Sequence, residues 1–189
     1  MSAQDSKLFV ISGPSGAGKG TLVTRVRERR SNLGLTVSAT TRAPRKGEVD
    51  GVNYFFLTRE EFDRRVANGE FVEWAEVHGN CYGTLVSEVQ SKLASGSSLI
   101  LEIDVQGALQ VKERFPEAVL IFIEPPSLEV LRERLVGRGT ETPETIELRM
   151  ANAADELALA DRYDDVVVND DLDRATDELV RVLDMHERI

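Results

Sequence analysis

Gly13-Pro14-Ser15-Gly16-Ala17-Gly18-Lys19-Gly20-Thr21 follows the apolar run Leu8-Phe9-Val10-Ile11 and leads into a helical pattern. A glycine-rich loop between a buried strand and a helix, ending in a lysine, is a phosphate cradle. The glycines let several backbone N–H groups face one anion. The helix N-terminus adds partial positive charge, and Lys19 adds a full one. An ordinary glycine-rich turn has no reason to carry the strand, both framework glycines, the lysine and the helix in this order. One position departs from the strict pattern. The residue after the lysine normally offers a hydroxyl to a Mg²⁺ shell; here it is Gly20, and Thr21 comes one later.

Outward from this loop, apolar runs alternate with helical patterns. Strands are expected at Leu8 to Ile11, Leu35 to Ser38, Leu99 to Asp104, Ala118 to Ile123 and Asp165 to Asn169. Thr21 to Arg30 reads as a helix with Leu22, Val23 and Val26 inward. Ser127, after Pro125-Pro126, can cap a helix whose Leu128, Leu131 and Leu135 share a face. Thr142 followed by Pro143 is a cap with proline at the first helical position, and Ile146, Met150, Ala153 and Leu157 line the inner face. Asp170-Asp171 opens the last helix, with Leu172, Ala175, Leu179 and Val182 inward. Continuous apolar strands separated by helices predict an α/β fold whose parallel sheet is covered on both faces. Two regions break the alternation. From Ala39 to Gly83, turn signals and aromatics such as Asp50-Gly51, Tyr54-Phe55-Phe56 and Gly79-Asn80 predict a small antiparallel lobe inserted after the second strand. Gly137-Arg138-Gly139-Thr140-Glu141, flanked by glycines, is a candidate lid.

The 189 residues fit one domain with lobes inserted into it. No apolar run approaches a membrane span, and Met1 to Lys7 lacks the basic start and apolar core of a secretion signal. The single Cys81 cannot form an internal disulfide, which fits a cytoplasmic location. A net charge of −10 argues against nucleic acid as a partner, since that needs a basic face. Small anions need only a local basic site. Ser38-Ala39-Thr40-Thr41-Arg42-Ala43-Pro44-Arg45-Lys46-Gly47-Glu48 supplies one, because arginine forks match phosphate oxygens and hydroxyls complete the shell. On spacing alone, a solvated basic loop fits that stretch as well. Other conspicuous residues read as structural. His78 has no partners at ligand spacing, Cys81 is a spacer beside Tyr82, Trp74 alternates away from Glu73 into a core, and Arg25, Arg27, Arg29 and Arg30 form a solvated helix face.

The phosphate loop and Thr40 to Glu48 resemble guanylate kinases. So do Glu70-Phe71-Val72-Glu73-Trp74-Ala75, Gly79-Asn80-Cys81-Tyr82-Gly83-Thr84, Ile103-Asp104-Val105-Gln106-Gly107, Gly137-Arg138-Gly139-Thr140 and Val168-Asn169-Asp170-Asp171. The match runs in order from about Leu8 to Leu183. The resemblance implies a P-loop domain over residues 6–187, with a core at 6–38 and 85–189, a GMP-binding lobe near 39–84 and a lid near 137–150. It implies Mg²⁺-dependent transfer from ATP to GMP, and to dGMP, by a monomer or homodimer. By the same resemblance, Gly13 to Thr21 and Asn169 bind ATP. Ser38, Arg42, Arg45, Tyr54 and Tyr82 hold the GMP phosphate, and Glu73, Thr84 and Asp104 read the guanine. Lys19, Arg42, Arg134, Arg138 and Arg149 are the expected catalytic set, with Thr21 reaching the metal partly through water. Glu102 stands where many relatives have Asp. Two other readings compete: a peptide-binding scaffold of the same fold, and a kinase for another acceptor such as AMP, UMP or a phosphorylated ribose.

Overall fold

The computed structural model describes residues 6–77, 79–137 and 142–188. In chain order the strands are Leu8–Ser12 (β1), Gly34–Leu35 (β2), Ala39–Thr40 (β3), Phe55–Phe56 (β4), Phe71–Val77 (β5), Asn80–Leu85 (β6), Leu99–Glu102 (β7), Val119–Glu124 (β8) and Asp165–Val168 (β9). The helices are Lys19–Arg29 (α1), Arg59–Ala67 (α2), Val86–Ala94 (α3), Val105–Arg114 (α4), Leu128–Gly137 (α5), Pro143–Leu157 (α6) and Leu172–Glu187 (α7).

The larger sheet is parallel throughout, in the order β2-β7-β1-β8-β9. Phe9 on β1 lies opposite Ile100 on one side and Val119 on the other. Strand alternation splits β1 between two cores. Phe9 and Ile11 join Leu22 and Val26 of α1 and Leu179 and Leu183 of α7. Leu8 and Val10 join Val89 of α3 and Ala108 and Val111 of α4. Each such Val, Leu, Ile or Phe side chain, when fully buried, stabilises the fold by roughly 1.5–3 kcal/mol. Both faces being covered explains why these strands read as unbroken apolar runs.

The expected second strand is shorter than its sequence suggests. The chain leaves the sheet after Leu35, and the Val37 N–H donates to Glu88 on α3 at 3.1 Å instead of to a ladder. The expected caps form: Ser127 Oγ accepts from the Val130 N–H, Thr142 Oγ1 from Thr145, and Asp171 Oδ1 from Arg174. In α7, Leu183 is buried while Val182 only flanks that core.

The smaller sheet has the order β4-β3-β6-β5. Its β3–β6 and β5–β6 pairs are antiparallel, but β3 and β4 are parallel, because the chain loops from Thr41 to Tyr54 before pairing again. Helix α2, which the alternation argument missed, covers one face. Phe62 stacks on Phe71 with ring centroids 4.3 Å apart. Its start was legible: Thr58 Oγ1 accepts from the Glu61 N–H, the S/T-x-x-E capping signature.

Three expectations are corrected here. Trp74 is not core; it is 42% exposed, because the face away from the cleft is covered by α2 only as far as an edge contact with Phe62. Cys81 is not a spacer; it is fully buried with Ala39, Phe62 and Phe71 in the core of the small sheet. Arg25, Arg29 and Arg30 do not form a merely solvated face, since α7 presents acids to them. Arg25 pairs with Asp173, Arg29 with Asp177, and Arg30 with both Asp184 and Glu187. Among the described residues, no helix is long and apolar enough to cross a membrane.

Candidate functional site

The loop after β1 opens at the carboxyl end of the parallel sheet, where ligands bind in open α/β folds. Gly13 and Gly18 have φ of 140° and 93°, a region L side chains rarely adopt. A Cβ on Gly13 would lie 2.3 Å from the Ile123 carbonyl oxygen, and one on Gly18 would lie 2.3 Å from Asn169 Nδ2. Glycine at both positions is therefore required by backbone conformation and by close approach. Lys19 Nζ donates to the Gly13 and Pro14 carbonyls at 2.6 and 3.0 Å, so the lysine curls along the inside of the loop.

Three distant segments converge on this loop. Asn169, just after β9, donates from Nδ2 to the Ala17 carbonyl at 2.7 Å. Arg134 of α5 donates to the Asn169 carbonyl at 2.8 Å and to Ala17 O at 3.4 Å. Arg149 of α6 donates to Ser15 Oγ at 2.5 Å. Both arginines thus stand at the phosphate loop. Arg138 and Gly139 to Glu141 of the candidate lid lie outside the described residues, as does His78, whereas Pro143 to Met150 of the expected 137–150 span form the first turns of α6.

Across from the loop is a cleft of about 560 Å³ whose lining includes Gly20, Ser38, Tyr54, Glu73, Tyr82, Thr84, Glu102 and Asp104. The two sheets build it together. Register places Glu73 on β5 opposite Thr84 on β6, and Thr84 Oγ1 donates to Glu73 Oε1 at 2.8 Å. Burial pushes the Glu73 carboxyl up from its ordinary value; the Thr84 bond opposes that, and Asp104 adds to it. Asp104 caps α4, its Oδ1 accepting from the Gly107 N–H at 2.7 Å. Burial also raises the Glu102 carboxyl, with Lys19 pulling it back.

The expected phosphate-holding residues are only partly gathered. Tyr54 and Tyr82 stand edge-on with centroids 6.2 Å apart, and the Arg42 guanidinium lies 5.4 Å from the Tyr54 ring centroid. Neither arginine lines the cleft: Arg42 is half-buried and bound to Glu48, and Arg45 is exposed. Glu48 was quoted in the motif without a role. Glu156 on α6 was missed altogether: burial raises its carboxyl, and it feels both Lys19 and Asp104. No spacing rule points to it, because it reaches this neighbourhood only through the packing of α6.

The arrangement offers one cradle for a chain of phosphates and, facing it, a carboxylate–hydroxyl pair suited to a planar donor edge. A family model described as guanylate kinase matches residues 5–186. The chain is 52% identical over 183 residues to a guanylate kinase of Halalkalibacterium halodurans, covering 97% of this chain and 90% of that one. It is 57% identical over 178 residues to a guanylate kinase of Gloeobacter violaceus, covering 94% of this chain and 87% of that one. The crystal structure of guanylate kinase from Anaplasma phagocytophilum superposes with a TM-score of 0.71 at 37% identity, covering 96% of this chain and 86% of that one. By a match that spans nearly its whole length, the chain belongs to the guanylate kinase family.

Proposed function

We propose that this cleft transfers the γ-phosphoryl group of ATP to GMP, giving ADP and GDP. The observation that carries the reading is the Glu73–Thr84 pair in the cleft across from the phosphate loop. Guanine presents N1–H and a 2-amino group side by side, and a carboxylate accepts both. Adenine has no proton at N1, so Glu73 would face an acceptor and remain unpaired in a buried setting. Glu73 and Thr84 read the base and not the sugar, a recognition that dGMP satisfies as well.

The phosphate loop holds the ATP phosphates through its inward N–H groups and Lys19. For the GMP phosphate, Ser38, Arg42, Tyr54 and Tyr82 form the cradle, with Arg45 swinging in from the exposed loop. GMP arrives mostly as a dianion, since a phosphate monoester has a second pKa near ~6. Its oxygen needs no general base. A GMP oxygen attacks the γ-phosphorus, the bond to the β-phosphate oxygen breaks, and ADP leaves with the electron pair. The protein's work is positioning, charge neutralisation and exclusion of water. Arg134 and Arg149, which bond at the phosphate loop, would supply the cations that developing charge on the transferred group needs, and the resemblance adds Arg138 to the same set.

The residues present fit Mg²⁺. A Cβ on Gly20 would lie 3.3 Å from Glu102 Oε1, so the Glu102 carboxylate closes against Gly20 in the first turn of α1. Thr21 Oγ1 and Glu102 are hard oxygen donors of the kind Mg²⁺ takes alongside nucleotide phosphates. When bound, Mg²⁺ would neutralise negative charge on the ATP phosphates. The buried thiol of Cys81 and the family membership favour a cytoplasmic protein. The direct test is chromatographic detection of GDP formed from ATP and GMP. Lys19→Ala should abolish GDP formation while keeping the wild-type melting curve, and near-normal turnover in that variant would refute the mechanism.

A further inference from the structure

Glu48 accepts three hydrogen bonds within the loop of the two acceptor-side arginines, yet the reaction scheme leaves it without a task. Its Oε1 accepts from Arg42 Nη2 at 2.8 Å, and its Oε2 accepts from Arg42 Nη1 at 3.0 Å. The same Oε2 accepts from the Arg45 backbone N–H at 2.6 Å. One carboxylate therefore ties the guanidinium of the first loop arginine to the backbone of the second. Both side chains are largely shielded, at 16% and 20% exposure, so the pair is not a loose surface contact.

Counting donors shows what this does to Arg42. A guanidinium has five N–H groups. Arg42 Nη1 gives one to Glu48 and one to the Ala43 carbonyl at 2.8 Å, and Nη2 gives one to Glu48. What remains is the Nε–H and the outer Nη2–H, two parallel donors on one edge. That edge is the fork that fits two oxygens of a phosphate. The Tyr82 side chain hydrogen-bonds to this guanidinium, and the Tyr54 ring packs against it, so both tyrosines stand with the arginine around the same phosphate position. The loop base is fixed too: Thr40 Oγ1 accepts from the Arg42 N–H at 3.2 Å and donates to the Cys81 carbonyl on β6 at 2.9 Å.

We propose that Glu48 is a positioning residue for the acceptor phosphate: it occupies the outer end of Arg42, leaves the Nε–Nη2 edge for the GMP phosphate, and holds the Arg45 backbone so that the second arginine can close. This rests on the reading of the cleft as the GMP site. Glu48 touches neither nucleotide. Its loss frees Arg42 to rotate, and binding must then fix that rotamer each time. The effect should follow the phosphate and not the guanine.

The test compares wild type with Glu48→Gln and Glu48→Ala in a coupled ADP-release assay, with guanosine as a competitive inhibitor and thermal melts alongside. The GMP KM should rise roughly 10–100-fold, more in Glu48→Ala than in Glu48→Gln. The ATP KM and the guanosine inhibition constant should stay at wild-type values, and Glu48→Gln should melt like wild type. A wild type that turns over while both variants keep its GMP KM overturns the proposal alone. So does a guanosine constant that rises in step with the GMP KM, which would mark a collapsed lobe. A wild type that forms no GDP overturns the acceptor reading and this proposal with it.

Discussion

Thr84 Oγ1 donates to Glu73 Oε1 at 2.8 Å across the β5–β6 pair, fixing one carboxylate oxygen in a setting that disfavours its charge. The hydroxyl orients the carboxylate before any nucleotide arrives, so guanine meets a preorganised acceptor. Glu73→Gln keeps the shape but turns one acceptor into a donor. Its kcat/KM for GMP should fall roughly 10–100-fold, the cost of losing a charged hydrogen bond, while activity with AMP does not fall. Steady-state kinetics with both acceptors checks this, and an unchanged GMP/AMP preference would refute the role of Glu73.

The raised Glu73 carboxyl gives a pH signature with a definite sign. GMP recognition needs the ionised form, so the GMP KM should rise as pH falls through the raised value, which lies above 4.5. Stability runs the other way. A carboxyl raised in the fold binds its proton more tightly there than in the unfolded chain, so its favourable contribution is present below 4.5 and is lost as pH rises through the folded value. Without nucleotide, Glu73→Gln should be more stable than wild type at about pH 8, with the gap closing toward 4.5. Urea midpoints across that range would read it.

The Gly18–Asn169 contact predicts a partial rescue. Gly18→Ala carries two penalties, a positive φ of 93° and a Cβ 2.3 Å from Asn169 Nδ2. It should raise the ATP KM strongly. Adding Asn169→Ala removes the collision but not the backbone strain, so the double variant should recover only part of the loss. Asn169→Ala alone should also weaken ATP binding, because the Ala17 carbonyl loses its donor. A strictly additive double variant would contradict the contact.

The α1–α7 seam predicts unequal arginines. Arg30 is 13% exposed and grips Asp184 and Glu187, whereas Arg25 and Asp173 are 40% and 75% exposed. Arg25→Ala should cost at most about 1 kcal/mol. Arg30→Ala should cost about 1–3 kcal/mol more, because it leaves a shielded Glu187 carboxylate without its cation. Urea unfolding of the two variants separates them, and equal midpoints would sink the distinction.

The strand–loop–helix at Leu8 to Arg29 was legible because local chemistry dictates it: a run buried on both faces, then glycines that a Cβ would forbid. The caps at Thr58, Ser127, Thr142 and Asp171 are equally local signals, though the first went unread. What sequence could not show is pairing that depends on a distant partner. Trp74 alternates correctly, yet its face of the small sheet is only partly covered. Arg30 looks like any helix arginine until α7 arrives more than 150 residues later. The Arg42–Glu48 fork sits within one motif, but spacing alone cannot tell an inward fork from a solvated loop. Of the residues that resemblance assigned to the GMP site, Ser38, Tyr54, Glu73, Tyr82, Thr84 and Asp104 line one cleft, whereas Arg42 and Arg45 stand outside its lining.

The central claim is that guanine's donor edge selects the acceptor. Coupled ADP release with ATP and, in turn, GMP, dGMP, AMP, UMP and CMP tests it most directly. The account predicts rapid turnover with GMP and dGMP and, for the others, kcat/KM lower by at least about 10⁴, the discrimination a buried hydrogen-bonding site achieves. Comparable turnover with AMP or UMP, or no turnover with GMP, would contradict it.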